Sequence, residues 1–185
     1  MGEQHKKHSR REHLNDFHLN VAGEYVYDGA LYACQSSEEK QHRIKRAVWG
    51  MVAILIVAVI AGGCIPAPGM QNCFYVLLPY LGEFLGAASV IWALVKLGTD
   101  WSAVREYNYK KSVAVLPVRT AVTAVFSLLG IVCELIFFFV NDHAGQTFFA
   151  LLYVLLKLIA LLSALVLRAE IMQAEWDKLP KKNNF

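Results

Sequence analysis

The sequence predicts an all-α integral membrane protein with four transmembrane helices and both termini on the cytoplasmic side. Two observations lead to this fold class. Hydrophobic residues make up 56% of the 185-residue chain and charged residues only 18%, against about 45–50% and about 25% in a typical soluble domain. The apolar residues are gathered in four runs of about 20 residues, the length that an α-helix needs to cross the hydrocarbon core of a bilayer.

The four runs divide the chain into three parts. A basic N-terminal segment covers residues 1–46, a transmembrane domain covers 47–167, and a C-terminal helix extension and tail cover 168–185. The predicted spans are about 47–66, 74–95, 120–140 and 147–167. The first span is not expected to be a cleaved signal peptide, because a long polar segment precedes it.

The positions of the basic residues predict the orientation. Seventeen of the 18 Lys and Arg residues lie in the N-terminal segment, in the connector between the second and third spans, or in the tail. Cytoplasmic loops carry an excess of Lys and Arg, so both termini and this connector are expected in the cytoplasm, and the plasma membrane is the expected location. Orientation and anionic lipid headgroups account for the net charge of +3, which therefore does not predict nucleic-acid binding.

Residues 24–32 of the N-terminal segment predict a short β-hairpin. Two β-rich runs flank Asp28-Gly29, a dipeptide typical of type I′ turns. An isolated hairpin is marginal in water, so this one needs support from the cytoplasmic connector or from a partner. The motif Ser-Ser-Glu-Glu at 36–39 predicts the start of a helix that leads into the first span, with Ser36 as its N-cap. At the other end of the chain, the fourth helix is expected to continue over 168–179.

The sequence predicts no enzymatic activity, no catalytic residue, no metal and no cofactor. Its N-terminal histidines are not spaced to lie on one helix face, and no Cys or paired carboxylate completes a usual metal site among them. They are His5, His8, His13 and His18. The neighbouring Asp142 and His143 lack a nucleophile. The sequence contains no glycine-rich phosphate loop, no His-Glu-x-x-His and no Gly-x-Ser-x-Gly.

Three ionisable residues interrupt the predicted spans: Glu83, Glu134 and Lys157. Insertion scales put a charge at the centre of a transmembrane helix at about 2.5–3.5 kcal/mol, so such residues face the bundle interior and pair, or line a pathway. Counted inward from the outer ends of their helices, they lie nine, six and ten residues deep. All three are therefore expected to meet in the outer half of the membrane.

The helix faces predict the same convergence. Each of the three charged residues belongs to a stripe of residues that recur three or four positions apart. The stripes are Val76, Tyr80, Glu83 and Ala87 in the second span, Thr120, Thr123, Ser127, Gly130 and Glu134 in the third, and Ala150, Tyr153, Lys157 and Ala160 in the fourth. The predicted intramembrane polar site comprises Glu83, Glu134, Lys157, Tyr80 and Tyr153.

Two interpretations of this site stay open. In the structural one, Glu134 pairs with Lys157 and a neutral Glu83 is hydrogen-bonded to a tyrosine. In the functional one, the charged residues bind an ion, a proton or a small substrate. The first span contains no charged residue, so it is expected either to face lipid or to pack through Gly62 and Gly63.

The sequence leaves two further questions open, one on helix packing at a pair of glycines and one on a disulfide between two cysteines. Gly82-x-x-x-Gly86 allows close approach of helices, either within one chain or between two copies. Cys64 and Cys73 bracket the first outer loop on the oxidising side, where a disulfide between them and two free thiols are both compatible with the sequence. The other two cysteines are not expected to pair.

Two functional hypotheses follow. The first is a non-enzymatic accessory or scaffolding component of a membrane assembly, whose cytoplasmic segments hold a protein partner and whose intramembrane charges fix helix packing. The second is a small ion- or proton-coupled transporter that acts as an oligomer, since four helices are too few to enclose a transport path alone. The expected partners are the lipid bilayer and a protein partner or a second copy of the chain, with a small ion or substrate in the second hypothesis.

Overall fold

Four long helices dominate the computed structural model, which describes residues 17–19, 23–27, 29–141 and 146–180. They are α1 (Glu38–Cys64), α3 (Phe74–Leu97), α5 (Leu116–Val140) and α6 (Thr147–Met172), and two short helices, α2 (Pro68–Asn72) and α4 (Glu106–Lys111), lie between them. Each long helix is apolar and long enough to cross a membrane. The predicted four-span, mostly helical fold is confirmed, and the chain is a multi-pass membrane protein.

Helix α1 begins nine residues before the predicted span, because a cap and a polar first turn extend it beyond the membrane. Its N-cap is Ser37 rather than Ser36: the Ser37 hydroxyl oxygen accepts a hydrogen bond from the backbone N–H of Lys40 at 3.4 Å. Two glutamates occupy the first turn, where negative charge interacts favourably with the helix dipole. The helix then runs without a break into the membrane span, as predicted.

The long helices pack in a ring in which α5 lies between α3 and α6, and α1 packs mainly against α6. Consequently α3 and α6 face each other across the bundle. The stripes predicted for α3, α5 and α6 are turned inward and buried, with Tyr80 alone half-buried. The opposite faces expose large apolar side chains, among them Leu85, Val125 and Leu151, which is the arrangement expected of helices in contact with lipid.

Helices α3 and α5 approach closely at two glycines. A Cβ atom built on Gly86 would lie 3.3 Å from the Cα of Thr123, so the backbones leave no room for a side chain there. Gly82 faces the ring of Phe126 in the same interface. The pair of glycines therefore serves packing within the chain, the first of the two alternatives that the sequence left open.

Within the described ranges, five short strands lie outside the long helices: β1 (Phe17–Leu19), β2 (Tyr25–Tyr27), β3 (Leu31–Cys34), β4 (Val104–Arg105) and β5 (Trp176–Lys178). Strands β1 and β2 form an antiparallel pair. Strand β3 is the centre of a second antiparallel sheet, between β4 and β5. We call the end of the bundle that carries this sheet the sheet end, and the opposite end, where α2 lies, the loop end.

The hairpin predicted over 24–32 is wrong in its pairing. Strand β2 pairs with β1, so that Phe17 opposes Tyr27, whereas β3 pairs with the connector and the tail: Leu31 opposes Arg105, and Cys34 opposes Trp176. The partners of β3 are thus strands from distant parts of the chain and not the neighbouring strand β2. The connector and the tail therefore support this segment through their pairing with β3.

The helical extension predicted over 168–179 is also wrong beyond Met172, where α6 ends. After a short turn, the chain pairs with β3 as strand β5. The backbone N–H of Gln35 donates to the Glu175 carbonyl at 2.9 Å, and the N–H of Leu179 donates to the Leu31 carbonyl at 2.8 Å. Tertiary hydrogen bonding therefore overrides the modest helical pattern of the tail.

An aromatic cluster covers the sheet end of the bundle. The rings of Tyr32 and Tyr109 stack with centroids 4.2 Å apart and an interplanar angle of 4°. Trp176 lies 5.5 Å from Trp101 and 5.8 Å from Tyr109, measured between ring centroids. Beneath them, buried aliphatic residues of α1, α3, α5 and α6 continue the core into the membrane span.

Some predictions concern residues outside the described ranges. These are the turn residue Asp28, the loop pair Asp142 and His143, and three of the N-terminal histidines, His5, His8 and His13.

Candidate intramembrane polar site

The charged residues of the predicted site lie in the interior of the bundle, toward the loop end. Glu83 comes from α3, Glu134 from α5 and Lys157 from α6, and their exposed fractions are 0%, 0% and 1%. Each reaches the interior because its helix buries one stripe and exposes apolar residues on the other faces. The three helices thus place two carboxyl groups and one ammonium group within the same buried region.

Lys157 and Glu83 form an ion pair across the bundle. The Lys157 ammonium donates a hydrogen bond to Oε2 of Glu83. The hydroxyl of Ser127, on α5, donates to Oε1 of the same carboxylate at 2.7 Å. Both oxygens of Glu83 are therefore hydrogen-bonded, which offsets part of the cost of burying the charge.

Two tyrosine rings complete the surroundings of the ammonium. The Nζ of Lys157 lies 4.5 Å from the ring centroid of Tyr80 and 5.0 Å from that of Tyr153, and both distances are in the range of cation–π attraction. We call Glu83, Ser127, Tyr80 and Tyr153 the ammonium cage.

Two glycines lie beside the lysine side chain, and a Cβ atom at either would make an ordinary van der Waals contact with it. A Cβ on Gly62 of α1 would lie 3.9 Å from Cε and Nζ of Lys157, and one on Gly130 of α5 would lie 3.7 Å from its Cδ and Cε. A Cβ on the next glycine of α1, Gly63, would overlap the Tyr80 hydroxyl. Helix α1 therefore packs through Gly62 and Gly63, the second of the two expectations for the first span.

Glu134 is not the partner of Lys157, and that part of the structural interpretation is wrong. Its depth explains the difference. Glu83 and Lys157 lie nine and ten residues from the loop ends of their helices, whereas Glu134 lies six residues from its own. Glu134 is thus about one helical turn nearer the loop end. Its Oε1 accepts a hydrogen bond from the backbone N–H of Gly69 at 3.4 Å.

The short helix α2 covers Glu134 and was missed by the sequence analysis. Ala67, Pro68 and Gly69 are buried at the loop end. A Cβ on Gly69 would overlap the Glu134 carboxyl group and lie 3.1 Å from the ring of Phe137. The sequence signal for this helix is Pro68, because proline is favoured in the first turn of helices.

Two polar atoms of the site stand out. Within the described part of the chain, Oε2 of Glu134 and the hydroxyl of Tyr153 are buried and have no hydrogen-bond partner. Each is the polar end of a fully buried side chain.

Three of the cysteines, Cys64, Cys73 and Cys133, lie near this region, whereas Cys34 lies in β3 at the sheet end. All four lie in the described ranges, and all four are free thiols there: Cys64 is exposed, Cys73 and Cys133 are half-buried, and Cys34 is buried. Of the two arrangements left open for Cys64 and Cys73, the structure has the unbridged one. Among the described residues, no group of three His, Cys, Asp or Glu residues is placed to hold a metal ion.

The fold and the site together define a four-span membrane protein with a closed ion pair in the interior of its bundle. Comparison of the chain with protein-family models, with curated proteins and with solved structures finds no match to any of them.

Proposed function

We propose that this protein is a non-enzymatic accessory or scaffolding component of a plasma-membrane assembly. The observation that carries the proposal is the closed ion pair. The place that a transported cation would take beside Glu83 is held by the chain's own Lys157 ammonium, which is buried and surrounded by the ammonium cage. A charge pair that is satisfied within the chain serves helix packing.

The sheet end supports the partner-binding half of the proposal. Strand β3, strand β4 and strand β5 come from three parts of the chain that are far apart in sequence, and together they form one sheet. The segments outside the membrane spans therefore offer a folded surface to a partner. The basic residues at the start of α1 favour a cytoplasmic location for this surface.

Removing the cation of the pair alone, and then both charges together, tests the proposal. Lys157→Met leaves the Glu83 carboxylate buried without its cation, and breaking a buried pair in this way costs about 3–5 kcal/mol. We expect K157M to reduce both the amount of folded protein in the membrane and its thermal midpoint in detergent. The double variant E83Q/K157M removes both charges and should regain most of the loss. Leu158→Met, at an exposed position next to Lys157 on α6, is the matched control.

A flux assay distinguishes the scaffold proposal from the transporter hypothesis. The wild type, K157M and E83Q/K157M are reconstituted in liposomes, and ion and proton movement is followed with entrapped indicators. The scaffold proposal predicts equal, background-level flux for all three proteins. Flux through the wild type that disappears in a fully folded E83Q/K157M would overturn it and favour the transporter hypothesis.

A further inference from the structure

The carboxyl group of Glu134 is buried with a single hydrogen bond. Oε1 accepts the N–H of Gly69, while Oε2 lacks a partner among the described residues. A carboxylate in such surroundings loses its hydration without gaining equivalent hydrogen bonds, whereas the neutral acid loses much less. Burial at this position therefore favours the protonated form of Glu134.

The neighbouring charges do not change this conclusion. The ionisable groups that face the region are Glu83, Tyr75 and Tyr80 on α3, Cys133 on α5, Tyr153 and Lys157 on α6, and Cys64 and Cys73 beside α2. The one ammonium group among them, on Lys157, is already balanced by Glu83. An ionised Glu134 would add a second negative charge for which the described part of the site has no counter-ion.

We propose that Glu134 is a proton-binding site that α2 covers. With α2 seated, the carboxyl group holds its proton. When α2 lifts, the proton passes from Glu134 to a water molecule at the loop end, leaving a carboxylate and a hydronium ion. This inference stands apart from the scaffold proposal, because it assigns no exchange to Glu83 or Lys157.

The geometry of α2 couples its position to this proton. Gly69 lies directly against the carboxyl group, and its lack of a side chain is what allows the contact. Ionisation places an uncompensated charge under α2, and that charge is relieved by water entering from the loop end. A group that is protonated in the closed state and ionised in the open state favours closure at low pH and opening at high pH.

Infrared difference spectroscopy on the full chain in lipid bilayers tests the protonation state. We expect a pH-dependent carbonyl band of a protonated carboxylic acid in the wild type. Glu134→Gln should abolish this band and Glu83→Gln should leave it in place. Glu134→Asp, which keeps an acid at this position, should shift the band without removing it, so a folding defect of E134Q does not block the assignment.

Alkylation of Cys73 by a membrane-impermeant maleimide reports the movement of α2, and every protein compared carries Cys64→Ser so that the exposed thiol of Cys64 does not contribute. Because thiol reactivity itself rises with pH, the rate in the wild type is divided by the rate in E134Q, which stays neutral at all pH values. We expect this ratio to rise with pH. Gly69→Ala, whose methyl group cannot fit against Glu134, should speed alkylation at every pH, and Gly50→Ala, on the exposed face of α1, should not.

Two outcomes would overturn the proposal. One is a carbonyl band that persists in E134Q or disappears in E83Q instead, because either result assigns the proton to another group. The other is a ratio of alkylation rates that does not change with pH. Neither outcome bears on the scaffold proposal, which is tested at Glu83 and Lys157.

Discussion

Lys157 on α6 pairs with Glu83 on α3, across the bundle, rather than with Glu134 on the neighbouring helix α5. Helices α3 and α6 each pack against α5 and are on opposite sides of the ring. The pair therefore links two helices that share little other contact, and Ser127 of α5 completes the connection from between them. A buried pair with this placement fixes the relative depth of the two helices as well as their facing surfaces.

The cage around the lysine ammonium predicts chemical rescue. Lys157→Ala removes three methylene groups and the ammonium, and it leaves the Glu83 carboxylate without its cation among two tyrosine rings. We expect a loss of about 3–5 kcal/mol in the free energy of unfolding. Added n-propylammonium matches the missing atoms and should raise the thermal midpoint of K157A in detergent in a saturable way.

A neutral compound and the wild-type protein serve as controls for the rescue. 1-Propanol has a similar size but no charge, and it should have no effect on K157A. The wild type, whose cage is already filled by Lys157, should not respond to n-propylammonium. A rise of the midpoint with either control would mean that the additive acts on the detergent or the surface, and it would contradict the cage.

The close approach of α3 and α5 predicts unequal effects of two glycine substitutions. Gly86→Ala places a methyl group 3.3 Å from backbone Cα of Thr123, so the helices must separate, at a cost of about 1–3 kcal/mol. Gly82→Ala meets the half-buried side chain of Phe126 and no backbone atom, and a side chain can change its rotamer without separating the helices. Thermal unfolding in detergent should therefore show G86A less stable than G82A. Equal thermal midpoints for G86A and G82A would mean that separating the two helices costs no more than moving the ring of Phe126.

Much of the membrane domain could be predicted from the sequence, because span length and stripe spacing are local properties. The stripe of α5 from Thr120 to Glu134 is buried as its spacing predicted. The depths of the charged residues, counted from the outer ends of their spans, also indicate the partner of Lys157, because Glu83 lies at nearly the same depth and Glu134 does not. The structural interpretation pairs Lys157 with a carboxylate of the neighbouring helix, but in the folded bundle the depth of the charge decides which carboxylate it meets.

The ends of the bundle were less predictable, because their structure depends on contacts between distant segments. Strand β3 pairs with residues more than 70 positions away, near Arg105 and Trp176. No local pattern of three or four residues specifies such partners. The cover over Glu134 is similar: Pro68 indicates a helix, but only the folded bundle places Gly69 on the carboxyl group.

The connector after α3 predicts an acid-sensitive turn at Asp100. The hydroxyl of Ser102 donates to Oδ1 of Asp100 at 2.6 Å, and the Ser102 backbone N–H donates to the same oxygen at 2.9 Å. These two hydrogen bonds, the hydroxyl first, hold the pKa of Asp100 below its usual value of 3.8. Because the pKa is lowered in the folded state, the stabilisation is present at neutral pH and is lost as the pH falls through the folded value.

Nuclear magnetic resonance of the Ser102 amide checks this turn. In the wild type, the amide signal should titrate with a midpoint below 3.8. Ser102→Ala removes the hydroxyl donor and keeps the N–H, so it should move the midpoint back toward that value. Asp100→Asn should abolish the titration, and a signal that still titrates in D100N would assign the effect to another group.

The contacts at the sheet end predict that strand β5 protects the amides of strand β3 from hydrogen exchange. Trp176 packs against Trp101 and Tyr109. Strand β5 pairs with β3, and the residues on either side of β5 form hydrogen bonds with Leu31 and Gln35 at the two ends of β3. Trp176→Ala removes the ring contacts that hold β5 in place, so the amides of β3 should exchange with deuterium several-fold faster while those of the membrane helices do not change. Asp177→Asn, an exposed position on the same strand, should leave exchange as in the wild type. Unchanged exchange of β3 in W176A would show that β4 alone is sufficient to hold it, and uniformly faster exchange would mean that the tail contributes to the stability of the whole bundle.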